Sequence, residues 1–590
     1  MMTNQEIARL FRNVAAAFAI KDSKKHYFQI VAYQKASETI ESLTSEIEDL
    51  YNEGKLQDLS GIGVTIRSRL MELFQKGSVA HFEAVLKGIP RSVFVMINVP
   101  SIGPKRAYKL AMSLALNNPD TVIEDLFRKA NNHEIAKIPT FGEKSEQDIL
   151  RALLEYAKGK GKTSRMVLPY AGGIADKILT YLKQSSYAGK AVVLGSLRRM
   201  MPTVGDIDIA VPSDRSKEVI DHFVAYPYTE RIIEKGPTTA SILTSGGRQI
   251  DLMVEPPESF GSLLQHFTGS KNHNVKLREY ALKKGLSLSE KGIKDLKHKA
   301  ALKTYDTEEK FYNTLGMSWI PPEMREDRGE IELAISHQLP ELVKPSDIKG
   351  DLHVHSSFPI EPSHDLGQTD IKEMAEFARK LKYEYIGFSE HNPSSYNHTD
   401  YQAYSLIARR NEYIEQIKSD IKDVRIFKLL EVDILASGKL AIDNKSMDLL
   451  DGAIVSIHSS FSKNKKEMTK RVLAGLSHPK AVILAHPTGR MLNERPGYEL
   501  DFDQIFDFCK KYNKALEINS WPNRLDLPDS LVKEAIESGV KLVVDTDSHE
   551  VSQMTHMGYG VAIARRGWAT KSDIINALSL EDFLEWLKRR

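Results

Sequence analysis

The spacing of apolar and polar residues changes character twice along this chain. Through the first 160 residues, apolar side chains recur at helical spacing, as in Ile7 to Ile20 and Tyr33 to Tyr51, which predicts amphipathic helices separated by glycine-containing turns. From Ala191 the short runs AVVLGS, DIDIAV and RQIDLMV predict strands interleaved with helices. Trp319 to Glu332, WIPPEMREDRGEIE, breaks that pattern with proline and charge and reads as a linker. A third pattern follows, in which short apolar runs end in a histidine or a carboxylate. It comprises DLHVH (Asp351 to His355), YIGFSEH (ending at His391), FKLLEVD (Glu431 and Asp433), AIVSIH (His458), AVILAH (His486) and KLVVDTDSH (Asp547 and His549). Strands that deliver such residues at their ends predict a barrel-like α/β domain with a site on its C-terminal rim.

Length rules out a single core, because 590 residues correspond to about three to five folding units. A content of 41% hydrophobic and 27% charged residues is that of an ordinary globular protein. The net charge of +2 identifies no partner, and the clusters Lys21 to Lys25 and Lys463 to Lys466 read as solvated faces. No apolar run approaches the roughly 20 residues a bilayer needs, and MMTNQEIARLFRN lacks the layout of a secretory signal. A cytoplasmic location and no membrane partner are expected. The sole cysteine, Cys509, leaves any metal site to His, Asp and Glu.

Two turns in the helical region are alike: LSGIGVTI (Leu59 to Ile66) and VPSIGPKRA (Val99 to Ala107), with IPTFGEKS (Ile138 to Ser145) a weaker copy. Each exposes backbone N–H groups at a helix N-terminus beside glycines that admit a phosphate. One copy is as readily a tight interhelical turn; two copies favour helix-hairpin-helix motifs that hold a nucleic-acid backbone without reading bases. The DNA-binding positions are then Gly61, Gly63, Ile102, Gly103 and Lys105, with a monovalent cation as a further ligand of these motifs.

In VVLGSLRRMMPTVGDIDIAV, Asp206 and Asp208 stand two apart on a strand and leave the same face of the sheet. Asp251 sits in a second strand. Three such carboxylates suit two Mg²⁺ ions bridging an attacking hydroxyl and a nucleoside triphosphate. Gly195 and Ser196 form a strand-to-helix turn suited to phosphate, and Arg199 supplies charge.

GSLRRMMPTVGDIDI, RQIDLMV and HFTGSKNHNVKLREYALKKGLSLSEKGI together resemble the nucleotidyltransferase core of family X DNA polymerases over roughly residues 1 to 320. The resemblance implies Mg²⁺ or Mn²⁺ on Asp206, Asp208 and Asp251, with Asp251 nearest the primer 3′-hydroxyl. It implies triphosphate contacts from Arg165, Gly195, Ser196, Arg199 and Gly205. His266, Phe267 and Gly269 would line the sugar pocket, Asn274 would face the base edge and Arg278 would monitor the nascent pair. Three positions depart from the family. His266 replaces a tyrosine, Gln249 replaces an arginine that orients the third carboxylate, and Arg69 stands near the place of the lyase lysine. A guanidinium stays protonated and forms no Schiff base, so little lyase activity is expected by that route.

In the C-terminal third, His353 and His355 alternate on one strand and face the same side. Together with His391, Glu431, His458, His486, Asp547 and His549 they make eight candidate ligands on strand ends, a set suited to Mn²⁺, Zn²⁺ or Fe²⁺ and to phosphoester hydrolysis. DLHVHS, SEHN, LLEVDIL, SIHSSF, LAHPTGRMLNERPGY, EINSWPNRLDL and DTDSHE resemble the PHP (polymerase and histidinol phosphatase) domain over about residues 348 to 575. That resemblance implies up to three metal ions in a distorted barrel, 3′→5′ exonuclease and abasic-site endonuclease activity, and phosphate contacts from Arg490 and Arg495. The family's metal-binding aspartate after HVHS is absent, and Ile360 occupies its place. Among Glu361, His364 and Asp365, Glu361 is the favoured substitute. Glu390 replaces the usual aspartate of a TDH motif.

The fold class expected is multidomain α/β. Its parts are an N-terminal helical DNA-binding domain (1–88), a fingers-like helical subdomain (89–160), a nucleotidyltransferase palm (161–258), a thumb-like subdomain (259–320), a linker (321–347) and a distorted (β/α)7 PHP barrel (348–590). The function expected is gap-filling DNA polymerisation in base excision repair by a monomer acting on gapped or primer-template DNA and dNTPs, with trimming of 3′ ends. A metallophosphoesterase that uses its polymerase-like half mainly to bind DNA is the alternative.

Overall fold

Helical periodicity governs the N-terminal segment of the first of two compact units into which the chain divides, Met1–Tyr181 with Asp221–Asp251; the other is Leu182–Ile220 with Leu252–Arg590. Strands Thr229–Lys235 and Thr239–Thr244 lie in the second segment of the first unit. The computed structural model describes all residues except 1, 3, 43–46, 53, 55, 57–61, 100–101, 160–164, 245–246, 299–300 and 589–590. In the first unit, helix Asn4–Asp22 buries Ile7, Phe11, Val14 and Phe18 against Tyr33, Ile40, Leu70 and Phe82. A second cluster gathers Val93, Leu110, Leu126, Ile135 and Ile149. Each glycine turn has the same local form: a buried apolar residue (Ile62, Ile102 or Phe141), a glycine, then the start of helix Val64–Lys76, Pro104–Ser113 or Glu143–Gly159. The part of LSGIGVTI before Ile62, Leu59 to Gly61, lies outside the described residues.

Strand Ile207–Pro212 pairs antiparallel with Val192–Val193 and lies beside Gln249–Glu255 in the palm sheet. Thumb helices Phe260–Thr268 and Lys271–Lys283 follow; Leu263 of the first packs with Leu194 and Ala210, and Leu277 of the second packs with Phe311, Tyr312 and Leu315.

The segment read as a linker is part of that core. Pro322–Met324 forms a single 3₁₀ turn and Glu330–Ile335 a helix, and Met324, Ile331 and Ala334 join the thumb cluster, with Trp568 packed against it. The charges that suggested solvent exposure are buried because they are paired. Arg325 is fully buried, bonds Glu308 at 2.7 Å and the carbonyl of Ile320 at 2.9 Å, and lies over the Tyr312 ring.

Beyond Gly350 the expected barrel forms from parallel strands in sequence order. Gly350–Val354, Tyr385–Phe388 and Arg425–Lys428 make one sheet. Glu431–Asp433, Ala453–Ser456, Ala481–Leu484, Ala515–Asn519 and Lys541–Asp545 make the other. Arg425–Lys428 and Glu431–Asp433 are two halves of one broken strand, so the barrel has seven. Bridges His391↔Glu431 and Val354↔Ser548 join the two sheets at both seams. Phe583 and Trp586 of helix Leu580–Lys588 share a cluster with Leu352, Phe427, Ile454, Val482 and Val543.

Candidate metal centres and nucleotide site

Parallel strands in register carry their C-terminal ends to one rim, so residues nearly 200 positions apart in sequence meet there. Glu431 is the hub. Its Oε2 lies 3.0 Å from His391 Nδ1, 3.2 Å from His353 Nε2 and 3.5 Å from His355 Nε2, while Oε1 lies 3.0 Å from His486 Nε2 and 3.4 Å from His458 Nε2. Asp547 approaches His355 at 3.1 Å. Ligand atoms within 4.8 Å of one another define four overlapping groups: His353, His355, Glu431 and Asp547; His355, His391 and His549; His391, Glu431 and His458; and His364, Asp433 and His458.

This donor set fits metal ions. His353 Nε2, both His355 ring nitrogens, His391 Nδ1, His549 Nε2 and Glu431 Oε2 are buried and make no hydrogen bond of acceptable geometry, an arrangement that costs stability unless a cation satisfies the lone pairs. Burial and then the charges of His549 and His391 push His355 well down, so it stays a neutral base, the form a metal needs. Burial opposes ionisation of Glu431, but His391, His353 and His458 outweigh it and hold the carboxyl well below its usual range. His486 and Asp547 both adopt positive φ, 28° and 56°, backbone strain of the kind that clusters at functional sites.

The vacancy left by the missing aspartate is filled differently from expectation. Ile360 is fully buried with Leu406, Ile407, Leu430 and Val432, so its side chain serves the core. Glu361 is not brought to the cluster; its exposed carboxylate takes the Nε2 of His398 at 3.0 Å. The chain turns at Glu361, φ 53°, and His364 reaches Asp433 at 3.2 Å, where His458 Nδ1 also approaches at 2.8 Å. Asp433 was visible at a strand end, and its period-two spacing from Glu431 places both on one face. Glu390 is buried against Arg410 at 2.5 Å and bonds Ser356, a structural role.

Arg490 is committed elsewhere than to phosphate. Its Nε donates to the carbonyl of Arg524 at 2.9 Å and its Nη2 to that of Leu525. Arg495 lies 4.3 Å over the Phe461 ring. Arg524, which the motif reading missed, has its Nε 3.8 Å from Asp547. Glu517 was missed too, because it lies within a strand rather than at its end.

In the palm, Asp206, Asp208 and Asp251 each bring an oxygen within 4.8 Å of the others. The Gln249 amide donates to both oxygens of Asp251, at 3.0 and 3.1 Å, so a neutral side chain does the orienting expected of an arginine. Gly195 has φ 55°, and a Cβ there would collide with Asp208; both facts require glycine. Arg198 bonds Glu308 at 2.6 Å and Thr268 at 2.5 Å. Its neighbour Arg199 bonds Glu326 at 3.0 Å and the Thr268 carbonyl at 2.6 Å. Asn274 donates to the carbonyl of His266 at 2.7 Å and accepts from Gln265 at 2.9 Å, and Arg278 lies 3.4 Å from His266.

Residues 2–79 match the helix-hairpin-helix domain, 263–326 the DNA polymerase beta thumb and 351–521 the PHP domain. Over 593 aligned residues, covering all of both proteins, the chain is 33% identical to the Bacillus subtilis (strain 168) protein named DNA polymerase/3'-5' exonuclease PolX. The chain belongs to the PolX family. Rat DNA polymerase lambda is 22% identical over 312 residues, 49% of each chain. A probable phosphatase of Syntrophotalea carbinolica is 22% identical over 250 residues, 40% of this chain and 95% of that protein. The PolX family therefore combines here a polymerase-like part and a phosphatase-like part, each with its own relatives.

Proposed function

We propose that the chain is a DNA-directed DNA polymerase that fills short gaps in DNA repair and trims 3′ ends with a metal-dependent exonuclease in its PHP barrel. The observation that carries it is the presence in one PolX chain of two separate ligand clusters, the Asp206, Asp208 and Asp251 group and the histidine-rich rim. At the first, the aspartates would hold Mg²⁺ or Mn²⁺, which supplies charge neutralisation at the triphosphate. Asp251, held by Gln249, faces the primer 3′-hydroxyl, and Ser196 and Arg199 anchor phosphate. Arg165 and Gly205 complete the triphosphate contacts, while His266, Phe267 and Gly269 line the sugar. At the second, His353, His355, His391, Glu431, His458, His486, Asp547 and His549 would hold Mn²⁺, Zn²⁺ or Fe²⁺, with His364 and Asp433 serving the position that lacks its aspartate. Arg524, whose Nε lies 3.8 Å from Asp547, faces the phosphodiester.

The hairpins support DNA as the substrate. Gly63 and Gly103 have φ of −63° and −74°, which any residue adopts, and a Cβ at either would meet nothing within 4 Å. The fold does not require glycine there, whereas close approach of a phosphate does.

Extension of a primer across a one-nucleotide gap, and degradation of the same primer without dNTPs, test the reading. Asp208→Ala is expected to abolish only the first and His355→Ala only the second; extension surviving Asp208→Ala refutes the polymerase assignment.

A further inference from the structure

Arg199 does not stand alone at the nucleotide site. Its Nε shares Glu326 Oε1 with Nη1 of Arg566, each at 3.0 Å, and the same Nη1 donates to the main-chain carbonyl of Arg199 at 2.7 Å. Arg566 ends helix Met557–Arg566 of the barrel domain, where a cation is favoured by the helix dipole. Its Nη2 reaches Asp529 at 2.8 Å, and Asp529 also takes Arg328 at 3.0 Å. Arg566 is 1% exposed, Glu326 15% and Arg199 13%, so the network is largely shielded from screening by solvent.

We propose that Arg566 and Glu326 are positioning residues for polymerisation: the barrel domain holds Arg199 in the orientation that receives the incoming triphosphate. Three arguments carry this. Bonds from Nε to Glu326 and from Nη1 to Thr268 fix the plane of the Arg199 guanidinium, and a fork whose direction is preset loses less freedom on meeting phosphate. Arg566 grips both the carboxylate that holds that side chain and the backbone from which it springs, so it controls Arg199 at two points. Finally, three guanidinium groups, Arg199, Arg566 and Arg328, face two carboxylates, Glu326 and Asp529. The surplus positive charge is complementary to a triphosphate. Arg566 thus serves the activity of the other half of the chain, while its own domain carries the hydrolytic rim.

The inference rests on Arg199 contacting the triphosphate, and the test separates the two. Single-nucleotide gap filling by the full chain is measured against dNTP concentration for wild type, Arg199→Ala, Arg566→Ala, Arg566→Lys and Glu326→Gln, alongside 3′-end degradation. Arg566→Ala and Glu326→Gln are expected to raise KM for dNTP about 10-fold with kcat within about threefold, as loss of preset binding does. Arg566→Lys recovers part of the loss, and 3′-end degradation stays within about twofold. Arg199→Ala raises KM on its own, and adding Arg566→Ala to it raises KM no further, because the two act as a unit. An unchanged KM in Arg199→Ala removes the reading of Arg199 and this inference with it. A raised KM in Arg199→Ala with an unchanged KM in Arg566→Ala and Glu326→Gln overturns the inference alone. Parallel loss of both activities with a lowered Tm also overturns it, since that marks a merely structural ion pair.

Discussion

Nδ1 of His353 lies 2.5 Å from Oε1 of Glu517, and the other oxygen of that carboxylate accepts the backbone N–H of His486 at 2.5 Å. One buried carboxylate therefore orients two rim histidines from behind, leaving His353 Nε2 directed at Glu431. Partners of this type set ligand tautomer and basicity. Glu517→Gln is expected to weaken metal binding about 10- to 100-fold, read by competition with a chelator, while gap filling is unchanged. Equal chelator resistance in the variant and wild type would rule the role out.

Metal content distinguishes the two candidates for the missing aspartate. His364→Ala is expected to lose about one ion per chain relative to wild type by plasma mass spectrometry, and Glu361→Ala none, since only His364 reaches Asp433 and His458. The reverse result would restore Glu361.

A methyl group at position 195 tests the coupling of turn and carboxylate. Because a Cβ there meets Asp208 and φ is positive, Gly195→Ala is expected to lower kcat for extension on the order of 100-fold, with 3′-end degradation retained. Extension at the wild-type rate would show that Asp208 has freedom to move aside.

Glu308 sets an acid limit. Burial raises its pKa, but Arg325 and Arg198 outweigh burial and bring it to about 2 from 4.5. A depressed folded value contributes stability that is present above the unfolded pKa and lost as pH falls from about 4.5 towards about 2, an effect on the order of 3 kcal/mol. Wild type should lose stability steeply across that window in denaturant titrations. Glu308→Gln should be less stable at neutral pH, with the buried Arg325 and the half-buried Arg198 left short of a partner, and should show a shallower acid limb. An acid limb as steep as that of wild type would assign the loss to other carboxylates.

Much of the rim was legible because parallel strands expose their ends at one side, so apolar runs ending in His, Asp or Glu announce the site. All eight strand-end candidates fall within the groups or lie against Glu431. What the pattern hid were residues whose role depends on contacts distant in sequence. Glu517 has an interior strand position, and His364 sits in an irregular loop whose path follows from Ile360 turning into the core. Arg490 matched a motif yet spends its donors on carbonyls, which no spacing reveals. The error over Trp319 to Glu332 has the same origin. Proline and charge predict exposure only when the charges lack partners, and Arg325 and Glu330 have theirs.

That packed stretch constrains traffic between the two chemistries. Met324, Ile331 and Ala334 are set in the same apolar cluster as the thumb, with Trp568 of the barrel domain laid against it, and Arg565 clasps Glu323 at 2.8 Å. A tether of this construction is a weld rather than a hinge. A swing of the thumb away from the barrel is therefore disfavoured, because it would strip Trp568 from that cluster and part Arg565 from Glu323.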